Sequence, residues 1–202
     1  MKSTQRVTIS RGNRKLGALM NVSLAPIECC PPGIPCAKEG CYALKAYRLY
    51  PATRRAWSQN GRIARTNLES YFSQIEQDVS KNRPEYFRWH VAGDILNTGY
   101  LQGMCEIAEC SPSTSFLAFT KAFSLINEYE KGRELARNLT IVFSGWPGMH
   151  INNPYNHRIA WMQNGRELRV PRTAVECLGN CHDCRMCFHL QKLGRDVVFH
   201  QH

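Results

Sequence analysis

Four cysteines stand within eleven residues near the end of this chain: Cys177, Cys181, Cys184 and Cys187, spaced C-x3-C-x2-C-x2-C. A second group, Cys29, Cys30, Cys36 and Cys41, lies near the start. Eight of the ten cysteines are therefore confined to two knots. Thiols this close in sequence cannot all be packed as separate neutral core residues. The short loops between them suit one ion or cluster held by several sulfurs. Whatever fold the chain adopts must carry two metal-binding loops on a scaffold of 202 residues, a length that suits one domain with a full core.

Ten cysteines would also serve a disulfide-rich secreted protein. The stretch Met1 to Lys15 is polar and basic, however, and lacks the apolar run of a signal peptide. No stretch approaches a membrane span. With C-x2-C spacings, these features favour metal over disulfides, a reducing cytoplasm, and no membrane partner. Hydrophobic residues make up 43% of the chain, which excludes a disordered protein. The formal net charge is +10. Two iron–sulfur centres with their thiolates would lower it to about +7. The remaining excess favours an anionic partner, a nucleic acid or nucleotide first.

Apolar segments alternate between strand-like and helix-like. Residues 16–24 read as a strand running into the first cysteine loop, CCPPGIPCAKEGC, whose prolines and glycines exclude a helix. A helix begins near Cys41 and breaks at Pro51. A second runs over about 61–80, with Leu68, Phe72, Ile75 and Val79 at helical spacing. Strands at 86–94, 115–121, 139–144, 157–162 and 196–200 are separated by helices around 101–108 and 123–137. This order predicts an α/β fold with a parallel sheet, a partial (β/α) barrel of about six strands spanning residues 1–170. A C-terminal cysteine-rich metal-binding segment, 171–202, packs its last strand on the same domain. In such folds the strand ends and the loops after them carry the chemistry.

Cys30, Cys36 and Cys41 fall in the loop after the first strand. Three thiolates on a [4Fe–4S] cluster leave one iron open. A fourth, from Cys29, would close the site as zinc or an electron-transfer cluster. The segments CPPGIPCAKEGCYALKAYR, RWHVAGD, FLAFTKA, IVFSGWPG, the cysteine knot and the terminal VVFHQH resemble the phage-encoded gene product 88 family. That family is itself similar to the radical S-adenosylmethionine (SAM) superfamily. The resemblance covers about Leu16 to His202 and implies the host cytoplasm. It further implies that the open iron binds the amino and carboxylate groups of SAM. An electron donor would reduce the cluster, and the sulfonium would split to a 5′-deoxyadenosyl radical. The superfamily spacing is C-x3-C-x2-C with an aromatic before the last cysteine. Here it is C-x5-C-x4-C, and Tyr42 follows.

The resemblance also places VAGD, residues 91–94, where radical SAM proteins meet the SAM amino group. Gly93 would allow close approach and Asp94 would accept from the ammonium. The alternative is a tight turn with Asp94 as helix N-cap. Arg88 and His90 share a strand face by period two and are expected together, both inside with the ligand or both at the surface. Lys121 and Ser144 stand at the next strand ends, where Lys121 can meet a carboxylate or phosphate. The four C-terminal cysteines suffice for a second [4Fe–4S] cluster, or for zinc. His182 and His189 are read as exposed, and Cys105 as a small core hydrophobe.

Between residues 45 and 65, Lys45, Arg48, Arg54, Arg55, Arg62 and Arg65 are interleaved with Tyr47, Tyr50 and Trp57. That mixture suits phosphates and stacked bases, and it also suits a solvated helix face. Two functional classes follow. One is a radical SAM-like enzyme with an unknown nucleotide or nucleic-acid substrate. The other is a non-enzymatic, zinc-stapled nucleic-acid-binding protein.

Overall fold

The computed structural model describes residues 6–13 and 16–200. Part of the basic N-terminal stretch and the end of VVFHQH lie outside the described residues. The elements in order are β1 (Ile9–Ser10), β2 (Met20–Val22), α1 (Cys36–Glu39), α2 (Tyr42–Leu49), α3 (Pro51–Thr66), α4 (Leu68–Asn82), β3 (Tyr86–Trp89), α5 (Thr98–Cys110), β4 (Ser115–Thr120), α6 (Phe123–Glu130), β5 (Leu139–Gly145), β6 (Arg158–Gln163), β7 (Val175–Glu176), α7 (Cys181–Cys184), a 3-10 turn (Met186–His189), α8 (Leu190–Leu193) and β8 (Val197–His200). The strands form one eight-stranded sheet in the order β1-β2-β3-β4-β5-β6-β8-β7. Only β1 runs antiparallel to its neighbour. The chain is thus a mixed α/β protein with a mostly parallel sheet.

Alternation along the strands sends side chains to two faces. Phe87 and Trp89 of β3, Phe116 and Ala118 of β4, and Ile141 and Phe143 of β5 pack with Ile63, Tyr71, Ile75, Leu101, Met104 and Ile126 of the helices. The intervening residues Leu117, Val142, Ala160 and Val197 face the other way. They pack with Leu16, Leu19, Phe188 and Leu190, and with Cys177, Cys181 and Cys187 at the margin. The C-terminal cysteine segment therefore covers the sheet face that the long helices leave open. Cys105 is buried in the helix-side core, as a small hydrophobe should be.

Three local expectations change. The helix expected over 61–80 is two helices, because Asn67 caps α4 by accepting from the Ser70 N–H at 2.9 Å. Pro51 ends α2 but also opens α3, where its missing N–H is harmless. The end of the first cysteine loop does wind into one helical turn, α1. Gly103 lets α5 approach α4, since a Cβ there would stand 2.5 Å from the Phe72 ring. No helix among the described residues is long and apolar enough to cross a membrane.

Candidate metal centres

The first cysteine loop leaves the C-terminal end of β2 and sends its thiols in two directions. Cys29 turns towards the helices and is 1% exposed. Its Sγ lies against Gly61, where a Cβ would come within 2.7 Å, and accepts from Arg65 Nη1 at 3.0 Å. Burial raises its pKa, opposed by the Arg65 charge. Cys36 and Cys41 lie close enough to Cys30 to raise its pKa, and Cys41 close enough to raise that of Cys36. The Cys30 thiol is pushed up to about 12 by burial first and by the Asp94 charge second. Burial also raises Cys36, against the pull of Lys121. The loop thus gathers three neighbouring thiols, with Cys29 elsewhere.

Asp94 stands beside them at the end of β3 and is 5% exposed. It is not the N-cap of α5. Asn97 is, accepting from the Tyr100 N–H at 2.8 Å. The Asp94 carboxylate instead ties two strand ends together. Oδ1 accepts from Thr120 Oγ1 at 2.6 Å and from the Ile95 N–H at 2.7 Å, and Oδ2 accepts from the Lys121 N–H at 2.8 Å. The Asp94 N–H in turn donates to the Cys29 carbonyl at 2.7 Å, which pins the cysteine loop. Burial pushes this carboxyl above the usual carboxylate range, and the three donors oppose that shift. One acceptor position remains on Oδ2. Lys121 Nζ donates to Ser144 Oγ at 2.8 Å, across the ends of β4 and β5. Gly93 has φ +80°, and a Cβ there would stand 2.6 Å from the Leu24 Cβ. Its close approach is to the chain leaving β2.

Arg88 lies beside the C-terminal cysteines. On β3 it points to the face covered by the C-terminal segment, where its guanidinium lies 4.9 Å over the Phe119 ring and Nη1 is 3.6 Å from Cys181 Sγ. Its charge lowers the pKa of Cys177 and Cys187 against larger upward shifts from burial, which carry Cys187 to about 12. The same charge reaches Tyr42, beside Cys41. Tyr42 is exposed as a residue, but its hydroxyl is tucked in and donates to the Val91 carbonyl. Cys181 and Cys184 lie close enough to add to the upward shifts of Cys177 and Cys187. Asn180 shapes their loop by capping α7. His182 and His189 are half-buried rather than exposed. His182 packs against Gly17, and His189 lies edge-on to Tyr86. Among the described residues, no three His, Cys, Asp or Glu side chains stand in the arrangement of a single-ion site.

His90 does not join Arg88. Its φ of +55° breaks the alternation of β3 and swings the ring to the helix side. There Nε2 is 2.9 Å from the Tyr100 hydroxyl, which is 2.8 Å from that of Tyr71. The shared face expected of Arg88 and His90 is therefore split between two layers. Burial lowers the His90 pKa from 6.5 to about 3, so the ring is neutral. Between those values the unfolded chain binds the extra proton, and acid favours unfolding. Lowering the pH from 7 to 5 should cost about 2 kcal/mol through His90. Asn tolerates the left-handed backbone. His90→Asn should therefore keep the fold and flatten that part of the pH–stability curve, as read by urea unfolding at both pH values.

Thr120, expected with Lys121 at its strand end, and Tyr42, expected only as the residue after Cys41, both stand at the site through their hydroxyls. Thr120 stands beside Lys121 at a strand end, and Tyr42 follows the last cysteine of the trio; those positions were the available signals. Three thiols, a buried carboxylate and a lysine thus stand together at the C-terminal edge of a mostly parallel sheet in a mixed α/β protein. Residues 2–195 match the family model of gene product 88, and the chain belongs to that family. No curated protein and no solved structure matches the chain.

Proposed function

We propose that this protein is an iron–sulfur enzyme of the radical SAM type, built on a partial (β/α) barrel. Cys30, Cys36 and Cys41 would hold a [4Fe–4S] cluster with one open iron, and Cys177, Cys181, Cys184 and Cys187 a second cluster. The observation that carries this reading is the direction of Cys29. Its thiol is engaged by Arg65 against Gly61, so the loop offers three thiols and not four. The donor set fits the group, since these half-buried thiols are crowded together, and the burial that hinders ionisation of Cys30 and Cys187 is relieved when a metal takes the place of the proton. When bound and reduced by an electron donor, such a cluster supplies the electron that cleaves SAM.

The chain's own residues supply placement. Lys121 and Arg88 set positive charge beside the thiols and are the candidates for the SAM carboxylate. The open acceptor position on Asp94 Oδ2 suits its ammonium. Ser144 holds the lysine in place. Gly93 keeps the VAGD backbone against Leu24, and His90 braces it from the helix side.

The test is the electron paramagnetic resonance spectrum of the anaerobically reduced protein with and without SAM. A spectrum changed by SAM in wild type and unchanged in Cys36→Ser supports the reading. A spectrum indifferent to SAM contradicts it. Arg88→Gln removes the cation between the two centres. It should lower their reduction potentials by roughly 40–90 mV, from about 1–2 kcal/mol of lost Coulomb attraction, as measured by redox titration.

A further inference from the structure

Helices α2 and α3 carry a surface that the cysteine chemistry does not use. From Tyr42 to Thr66 the chain has six basic residues and no Asp or Glu. All six, Lys45, Arg48, Arg54, Arg55, Arg62 and Arg65, are exposed. At helical rotation the four arginines of α3 fall within an arc of about 100°, turned away from the buried Asn60, Ile63 and Ala64. Only Arg65 has an acidic partner among the described residues, Glu28. A solvated helix face normally carries both signs of charge; this one has a single sign and is left uncompensated.

Aromatic rings interrupt the cations. Tyr42 is 62% and Tyr50 60% exposed, one at the start of α2 and one at the corner between the helices. Behind that corner Tyr47 stacks on Trp57 with centroids 6.3 Å apart, which makes it rigid. Apart from Thr53, which lies outside the arginine arc, and the Trp57 ring N–H, the neutral polar side chains of α3 are engaged. Ser58 bonds Tyr47, Gln59 donates to the Arg6 carbonyl, Asn60 is tied to Thr8 and Ser23, and Thr66 donates to Arg62. What the face offers a ligand is therefore cations and ring faces. Cations follow a phosphate backbone, and exposed rings stack on unpaired bases, which a duplex keeps hidden.

We propose that the α2–α3 face binds single-stranded nucleic acid along its backbone and base faces, without reading the sugar. The track starts at the cysteine site, since Cys41 is the N-cap of α2 and Tyr42 reaches Val91. That the bound strand is the substrate of that site rests on the iron–sulfur reading. The binding itself does not.

The test is fluorescence anisotropy with end-labelled oligo(dT), oligo(U) and a duplex of equal length over a range of salt, with iron measured in the same preparations. Wild type should bind both single strands within about threefold of each other and the duplex at least about tenfold more weakly. Arg54→Gln/Arg55→Gln/Arg62→Gln should reduce the slope of log affinity against log salt by about 2. Tyr50→Ala should weaken binding at least about fivefold. As a single exposed truncation, it carries the test if the triple variant loses its helicity. Wild-type protein that binds no single strand, variants that bind like wild type, a preferred duplex, or a more than tenfold preference for one sugar would each overturn the proposal. Binding by iron-free protein supports this face while removing the iron–sulfur reading. Iron-loaded protein without binding does the reverse.

Discussion

Replacing Cys30, Cys36 and Cys41 together by serine is expected to halve the metal content of anaerobically prepared protein, from about eight iron and eight sulfide per chain to about four of each. Cys36 and Cys41 stand close enough to Cys30 to raise its pKa, and the three share a loop pinned by the Asp94–Cys29 backbone bond, so they act as one donor set. The second group lies in another layer, against Leu117 and Phe188, and should keep its cluster. Cys29→Ser is the matched control. Its thiol answers to Arg65 rather than to the trio, and the iron count should stay at about eight. Loss of the first cluster in Cys29→Ser would mean that four thiols hold it. The open iron, and SAM with it, would then fall away.

The largest effect on stability is expected at Asp94. Its carboxylate accepts from the Thr120 hydroxyl, the Ile95 N–H and the Lys121 N–H, all at a nearly buried point where water cannot substitute. Asp94→Asn keeps the volume but turns one acceptor oxygen into an amide donor facing another donor. Hydrogen bonds to a charged group contribute about 1.5–3 kcal/mol each, and a stranded buried donor adds its desolvation cost. We expect a loss of about 3 kcal/mol, or a Tm lowered by roughly 6–12 °C for a chain of this size. Calorimetry checks it. A Tm within about 2 °C of wild type would mean that Asp94 is not the tie between β3 and β4.

Much of this arrangement is legible in the chain itself, for reasons that differ by element. The cysteine groups are visible because thiols gathered on short loops leave a close spacing in the sequence. The parallel sheet is visible because buried strands separated by helices leave runs of Val, Ile, Leu and Phe. Period two alone allowed Arg88 to lie on either face. Its neighbours Phe87 and Trp89, both large and apolar, claim the helix side and send it to the other. His90 was misplaced by the same rule because it adopts φ +55° without being glycine, and no residue type announces that. The break between α3 and α4 was available in Asn67 as an N-cap, but a continuous apolar stripe masked it. The direction of Cys29 could not be read locally at all. It depends on Gly61, on another element, leaving room for the sulfur. Strand β1 is only two residues long and carries too little pattern to see.

The central claim is that the two cysteine groups hold iron–sulfur clusters. The most direct test is to purify the protein without oxygen and measure iron, acid-labile sulfide and zinc per chain. The account predicts about eight iron, about eight sulfide and negligible zinc. About two zinc with no sulfide would contradict it, and would leave a metal-stapled protein whose basic α2–α3 face carries the function.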